Sequence, residues 1–363
     1  MTTLIVVLGV VLVLAILYLI FRISSLVSVA KAKTSDDEVD SSNGVHALLF
    51  ILFMVFGLGG FFWYSYTHFD SYTLPIASEH GAWTDTLFWI TMGVTVVAFT
   101  IISIIKFVFL YQYQHKEGRK AKFYPDNHYL ELAWTIIPAL VLALLVFTGL
   151  RAWNDITSPA SENAEVVEVI AQQFAWTVRY PGKDNVLGDY HYQKIDAINE
   201  FGLDLSDNKS FDDFKSLELH IPKGKEVLMK IRAKDVLHSV FLPHFRVKMD
   251  AVPGMPTQFK FIATKTTAEM RDELGNPEFN YELACTEICG KGHFSMKMSV
   301  VVDTPEDFEK WKAGQEAWLK QNPDYLKNVP AGLRESAMIK AEIPVETGVT
   351  YLEGVKAVAV GSN

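Results

Sequence analysis

With 363 residues, half of them hydrophobic, and a mean hydropathy of +0.16, the chain is too apolar for an ordinary soluble protein. Its net charge of -9 argues against nucleic acid as a partner, because phosphate backbones are held by clustered Lys and Arg. Two cysteines, Cys285 and Cys289, are too few for a disulfide framework. The absence of a C-x-x-C-H motif excludes a fused c-type cytochrome.

Four apolar stretches are long enough to cross a bilayer as helices, roughly 4–21, 47–66, 86–111 and 130–150. The connection 22–45 carries Arg22, Lys31 and Lys33 beside four acids. The connection 67–83 has no Lys or Arg, and 112–128 has Lys116, Arg119, Lys120 and Lys122. Positive charge marks the inner side, so the first and third connections are predicted inside and both termini outside. The head Met1-Thr2-Thr3 lacks the charge of a secretory signal, so the first stretch is expected to be a retained helix. Gly57, Gly59 and Gly60 would allow close helix approach, or are ordinary membrane-helix glycines.

After Arg151 the pattern changes to short runs rich in Val, Ile, Phe and Trp, among them 166–170, 174–180, 217–221, 226–232, 258–263 and 298–302. Alternation with turn residues between them predicts an antiparallel sandwich or barrel. The stretch 180–215 shows little pattern. The chain turns helical over 305–321, and from about Pro323 it reads as a loosely ordered tail.

One segment carries the chemistry: Cys285-Thr-Glu287-Ile-Cys289-Gly-Lys-Gly-His293-Phe-Ser-Met296. Two thiolates, an imidazole and a thioether favour copper in electron transfer. Zinc accepts Cys and His too, but a following Met is not a zinc habit. Two cysteines could bridge two coppers, each needing one His and a weak further ligand. His293 and Met296 supply two of these, and His238 is the best candidate for the second His. His191, His220 and His244 are given structural roles.

The pattern C-x-E-x-C-G-x-x-H-x-x-M resembles the CuA signature of cytochrome c oxidase subunit II. Asp235-Val-Leu-His238-Ser and the stretch Lys248 to Gly254 are similar to the segment carrying that family's first His ligand, and Leu130-Glu131-Leu-Ala-Trp134 to the start of its second helix. The resemblance covers about 84–321. It implies a cupredoxin-like exported domain with a dinuclear copper centre. Cys285 and Cys289 would bridge, with His238, His293 and Met296 as side-chain ligands and Glu287 giving its carbonyl. The Glu287 side chain would reach a magnesium ion shared with subunit I. Glu131 would stand at a proton path, against a reading as a solvated interfacial acid.

The implied organisation is an extra membrane pair (1–83), the family hairpin (84–151), the copper domain (152–303) and a C-terminal helix and tail (304–363). The chain departs from the family in Gln172-Gln173-Phe174-Ala175-Trp176, where Phe174 replaces a common Trp. Phe174 and Trp176 are the candidates for receiving electrons, while alternation along the strand would turn Trp176 elsewhere or into the core. The acid-rich run 189–213 would face a basic donor or is a solvated loop.

The implied partners are subunit I with haem a and CuB, other oxidase subunits, and cytochrome c. The extra helices suggest a membrane-bound c-haem donor or a respiratory supercomplex. The implied setting is the bacterial inner membrane, with the copper domain on the periplasmic side. A copper-delivery or thiol-redox protein is the competing reading, but it needs neither His293 nor Met296. Quinol oxidase subunits typically lack the complete ligand set, and a nitrous oxide reductase would need a further metal domain.

Overall fold

The computed structural model describes residues 2–31 and 42–344, and compact units divide it. The first unit holds helices α1 (Thr2–Lys31) and α2 (Ser42–Thr67) and most of the apolar length of α3 (Glu79–Gln112). The start of α4 (His128–Thr157) belongs to it as well. All four helices are long and apolar enough to cross a membrane, and their side chains are almost wholly outward-facing. Along α3 and α4 the hydroxyls of Thr86, Thr95, Thr100 and Thr148 donate to carbonyls four residues earlier, at 2.7–2.9 Å. A hydroxyl in hydrocarbon has no water partner, so this back-bond is its way of being satisfied.

The second unit contains two five-stranded sheets packed face to face. Sheet one has the order β3 (Phe214–Ser216), β2 (Ala175–Tyr180), β1 (Glu165–Gln172), β5 (Glu226–Ala233) and β8 (Thr257–Ile262). Sheet two has the order β4 (Leu219–Pro222), β10 (Lys297–Asp303), β9 (Tyr281–Cys285), β6 (His238–Leu242) and β7 (Val247–Ala251). Most neighbours are antiparallel, but β1 with β5 and β4 with β10 run parallel. Alternation sets the core. Val227, Met229 and Ile231 of β5 point inward and are fully buried, as are Val167 and Val169 of β1 and Val300 of β10. Each such side chain contributes about 1.5–3 kcal/mol by leaving water.

The linker before α3 joins this core. Ala77 is fully buried, its N–H donates to the His244 carbonyl at 2.8 Å, and its own carbonyl accepts from Thr264 N–H at 2.8 Å. The linker therefore lies on the exported side, as its lack of basic residues predicts.

The expectation of a loosely ordered tail from Pro323 is overturned as far as Pro344. Short helices α5 (Trp318–Gln321) and α6 (Arg334–Lys340) flank turns that bury Leu326, Val329, Ala341 and Ile343. These pack on Phe201, Leu203, Leu205 and Phe211 of the patternless stretch, and on Ile170 of β1, forming a second core. Beneath it lies a buried ion cluster. Glu168 takes Arg179 at 2.7 Å and Arg232 at 2.7 Å, and Arg179 lies 3.4 Å from Asp213. The tail beyond residue 344 lies outside the described residues.

Candidate metal centre

Strand order brings the donors together. β6 and β9 are antiparallel neighbours with Val240 opposite Cys285, so His238 at the start of β6 lies beside Cys285 at the end of β9. The chain between β9 and β10 then makes a loop closed at its base by Cys285 N–H donating to the Met296 carbonyl at 3.1 Å. Gly290 permits the reversal with φ 131, a conformation costly for residues with a Cβ. A short 3-10 turn, His293–Ser295, returns the chain to Met296.

The Sγ atoms of Cys285 and Cys289 are 3.9 Å apart. Cys285 Sγ is 3.8 Å from His238 Nδ1 and 3.2 Å from the Glu287 carbonyl oxygen. Cys289 Sγ is 3.6 Å from His293 Nδ1 and 3.9 Å from Met296 Sδ. The sulfurs are far beyond a disulfide bond of about 2.05 Å. They are also close enough for one ion to reach both, since metal–thiolate bonds are about 2.3 Å. Each sulfur thus has an imidazole and a weaker donor of its own. His238, Cys285, Cys289 and Met296 are buried, while His293 and Glu287 are half-buried.

These donors fit copper: soft sulfur and imidazole, with His238, Cys285, Cys289 and Met296 buried. Burial, and then the charge of Cys285, pushes the Cys289 thiol up to about 11. A metal bound there must displace that proton, and its charge would compensate the thiolate. The His238 ring is oriented from behind. Its Nε2 lies 2.9 Å from Asp235 Oδ1, so Nε2 carries the proton and Nδ1 presents its lone pair to the cluster. Hydrogen bonds, first from Gln173 N–H and then from His238, hold Asp235 below the ordinary carboxylate range despite the opposing effect of partial burial.

The two aromatic candidates part ways. The Phe174 ring is 40% exposed and lies over Gly290 and Gly292, where a Cβ on Gly292 would fall 2.4 Å from its Cγ. Trp176 is only 3% exposed and sits beneath the centre. Its Nε1–H points to the Met296 carbonyl at 3.4 Å, and its ring meets that of His238 edge-on. Trp176 lies in the core, where strand alternation turns it, and Phe174 is the member of the pair at the surface. Glu131 is exposed in the first turn of α4. The other histidines stay apart from the cluster: His220 binds Asp303 at 2.8 Å and stacks on Trp311, His191 caps a turn, and His244 packs on Phe279 and Tyr281. A cavity of about 440 Å³ bordered by Lys225, Lys312, Lys340, Glu165 and Asp212 is a set of ion pairs distinct from this centre.

Sequence reasoning missed Asp235 as a partner of His238. It also missed Gln173, whose Nε2–H donates to the Cys289 carbonyl. The position of Asp235 three residues before the histidine was the available signal.

The family described as "Cytochrome C oxidase subunit II, periplasmic domain" matches residues 165–304, and "Cytochrome C oxidase subunit II, transmembrane domain" matches 63–152. An alternative cytochrome c oxidase subunit 2 of Bradyrhizobium diazoefficiens is 34% identical over 250 residues, covering 67% of this chain and 84% of that protein. A cytochrome c oxidase subunit 2 of Thermostichus vulcanus is 28% identical over 295 residues, covering 66% and 77%. The solved periplasmic domain of subunit II of cytochrome oxidase (CoxB) of Bradyrhizobium japonicum is 22% identical, covers 43% of this chain and 94% of that one, and has a TM-score of 0.29. With two family domains in sequence order, an apolar four-helix membrane part and a cupredoxin-like exported domain, the chain belongs to the cytochrome c oxidase subunit II family.

Proposed function

We propose that this oxidase subunit accepts electrons from a c-type cytochrome at a dinuclear copper centre. It would pass them to haem a of subunit I, where dioxygen is reduced with proton pumping. The carrying observation is the pair of sulfurs 3.9 Å apart with one imidazole beside each. Cys285 and Cys289 would bridge, His238 and His293 would each hold one copper, and Met296 and the Glu287 carbonyl would be the weak ligands. Copper held by these residues would supply a one-electron store. The protein's part is to hold four side chains on the β9–β10 loop and a fifth, His238, on β6, to cover the centre with Trp176, and to present Phe174 toward the donor. The Glu287 side chain would reach toward magnesium shared with subunit I, since carboxylates suit hard cations. Glu131 would serve proton uptake on the opposite side. The setting would be the bacterial inner membrane, in the fourfold partition 1–83, 84–151, 152–303 and 304–363.

The extra helices α1 and α2 would hold a membrane-bound c-haem donor or a respiratory supercomplex. A deletion testing this must stop before Thr73, because Ala77 and Ser78 belong to the exported core.

The deciding experiment is electron paramagnetic resonance of the purified oxidase complex. Hyperfine splitting from one electron shared equally by two coppers is expected. A single-copper pattern, or a metal-free centre with full electron transfer, would overturn the reading.

A further inference from the structure

We propose that the start of α2 and the end of α3 form a binding site for one anionic phospholipid, with its headgroup phosphate on Lys106 and its acyl chains along Phe50 and Phe109. An open cleft of about 520 Å³ lies between these two helix ends, which belong to the same compact unit. Its frame is fixed on both sides. The Phe107 ring of α3 meets Phe50 and Phe53 of α2, with centroids 6.1 and 5.8 Å apart. At the mouth, Asn43 Nδ2 donates to the His115 carbonyl at 2.7 Å. The depth of the cleft suits a headgroup. α3 has 34 residues, and such a helix is about 51 Å long against about 30 Å of hydrocarbon. Centred in the bilayer, it keeps about seven residues at each end among headgroups. Lys106 stands just inside Gln112 by nearly that distance, at the boundary where a phosphate lies.

The charge of the cleft has one sign. Lys106, His46, Asn43 and Gln114 line it, and no Asp or Glu stands among the described residues that do. The connection after α3 adds Lys116, Arg119, Lys120 and Lys122, which mark this end as the inner one. A lysine at membrane depth without a carboxylate beside it is costly, and a phosphate offsets that cost. The His46 ring is held edge-on by Phe21 of α1, so it can offer an N–H to the same headgroup. Beside this polar set the walls are Phe50, Phe109 and Leu110, all exposed apolar surface. A free anion would match the charge and leave these walls unused. A neutral lipid would match the walls and leave Lys106 uncompensated. Basic pockets between membrane helices on the inner side take anionic headgroups for this reason.

The test uses the purified oxidase complex and phosphatidylglycerol carrying a photoreactive diazirine in one acyl chain, with adducts mapped by peptide mass spectrometry. Adducts are expected within 43–50 and 106–114 of the wild type. Phosphatidylcholine with the same diazirine chain should label these segments about fivefold less, the factor for one basic group near an anionic headgroup. Lys106→Gln should lower phosphatidylglycerol labelling by about the same factor. Lys106→Arg should restore it. Lys116→Gln, which removes an equal charge outside the cleft, should match wild type. Equal labelling by the two lipids would show a merely apolar cleft, and an equal loss in Lys116→Gln a general surface attraction. Either result overturns the proposal. So does displacement of the labelled lipid by inorganic phosphate at matching concentration, which would show a site for a free anion. An absence of adducts in both segments overturns it too. If Lys106→Gln does not assemble, Lys106→Arg and the wild-type comparison of the two lipids decide. The copper spectrum enters none of these readouts, so the lipid site stands or falls separately from the copper reading.

Discussion

Arg246 and Asp85 lie 161 residues apart in sequence, yet both guanidinium arms meet both carboxylate oxygens, at 2.7 and 2.9 Å. Arg246 is at the left-handed turn after β6, and Asp85 is in the first turns of α3, so the pair ties the root of a membrane helix to the exported core. A third bond runs from Arg246 to the Leu74 carbonyl. A half-buried bidentate pair of this kind is worth about 1.5–3 kcal/mol. Asp85→Ala should therefore lower the melting temperature of the exported domain in the purified complex, with copper content intact. An unchanged melting temperature would mean that Ala77 and Ser78 hold the linker by themselves.

The contact between Gly292 and Phe174 gives a sharper case. Gly292 has φ -90 and ψ 4, a backbone that alanine tolerates, so a substitution there acts only through the added methyl group. That methyl would sit 2.4 Å from Phe174 Cγ. Gly292→Ala should push the ring outward and slow electron acceptance from reduced cytochrome c, with an overpacking cost of about 1–3 kcal/mol. In a Phe174→Ala background the same change should cost clearly less, because the two ring contacts are gone and only the contact with the residue 174 Cβ, at 2.9 Å, remains. Equal effects in both backgrounds would refute the steric account.

How much of this was legible in advance depended on distance along the chain. Cys285, Cys289, His293 and Met296 lie within one loop, so their spacing alone announced a metal centre. His238 needed a sheet to bring it in, and only its place at the end of an alternating run hinted at that. Strand alternation fixed the core face of β5 and the burial of Trp176. The second core was not legible. Leu326, Val329, Ala337 and Ile343 are spaced by 3-10 turns and follow no period, and their partners Phe201, Leu203 and Phe211 lie more than a hundred residues earlier. Likewise nothing in the linker around Ala77, which lacks Lys and Arg, distinguishes a docked segment from a free one. Charge patterns located it on the outer side but could not give its contacts.

That second core makes the C-terminal segment and the 181–213 stretch dependent on each other. Trp318 is 3% exposed, packs edge-on against Tyr325, and its backbone N–H donates to the Asp213 carbonyl at 2.7 Å. Trp318→Ala should cost about 3–5 kcal/mol of local stability by leaving a cavity. Limited proteolysis should then open new cuts within 181–213, far away in sequence, while the copper spectrum stays as it was. Digestion confined to residues beyond 314 would show that the earlier stretch holds its shape unaided.

The ion cluster under this lobe should leave a mark on the pH dependence of stability. Burial pushes the Asp213 carboxyl up to about 7 against the pull of Arg179. The charges of Arg179 and Arg232 outweigh the burial of neighbouring Glu168 and hold it below its ordinary value. For Asp213 the folded value lies above the unfolded one, so between the two the native state holds the extra proton. Its contribution is present at low pH and is lost as pH rises through about 7. Glu168 acts oppositely: its contribution is present above its unfolded value and is lost only when acid reaches its depressed folded value. Of these two groups, Asp213 is the one that titrates near neutral pH. Between pH 6 and pH 8 its ionisation should remove on the order of 1 kcal/mol from wild type. Asp213→Asn cannot ionise, although its amide oxygen can still accept from Gly188 N–H as the Asp213 Oδ2 does at 3.1 Å. The melting temperature of Asp213→Asn relative to wild type should therefore rise from pH 6 to pH 8. A difference that stays constant across that range would show that Asp213 is already ionised at pH 6 and that the Arg179 charge, rather than burial, governs it.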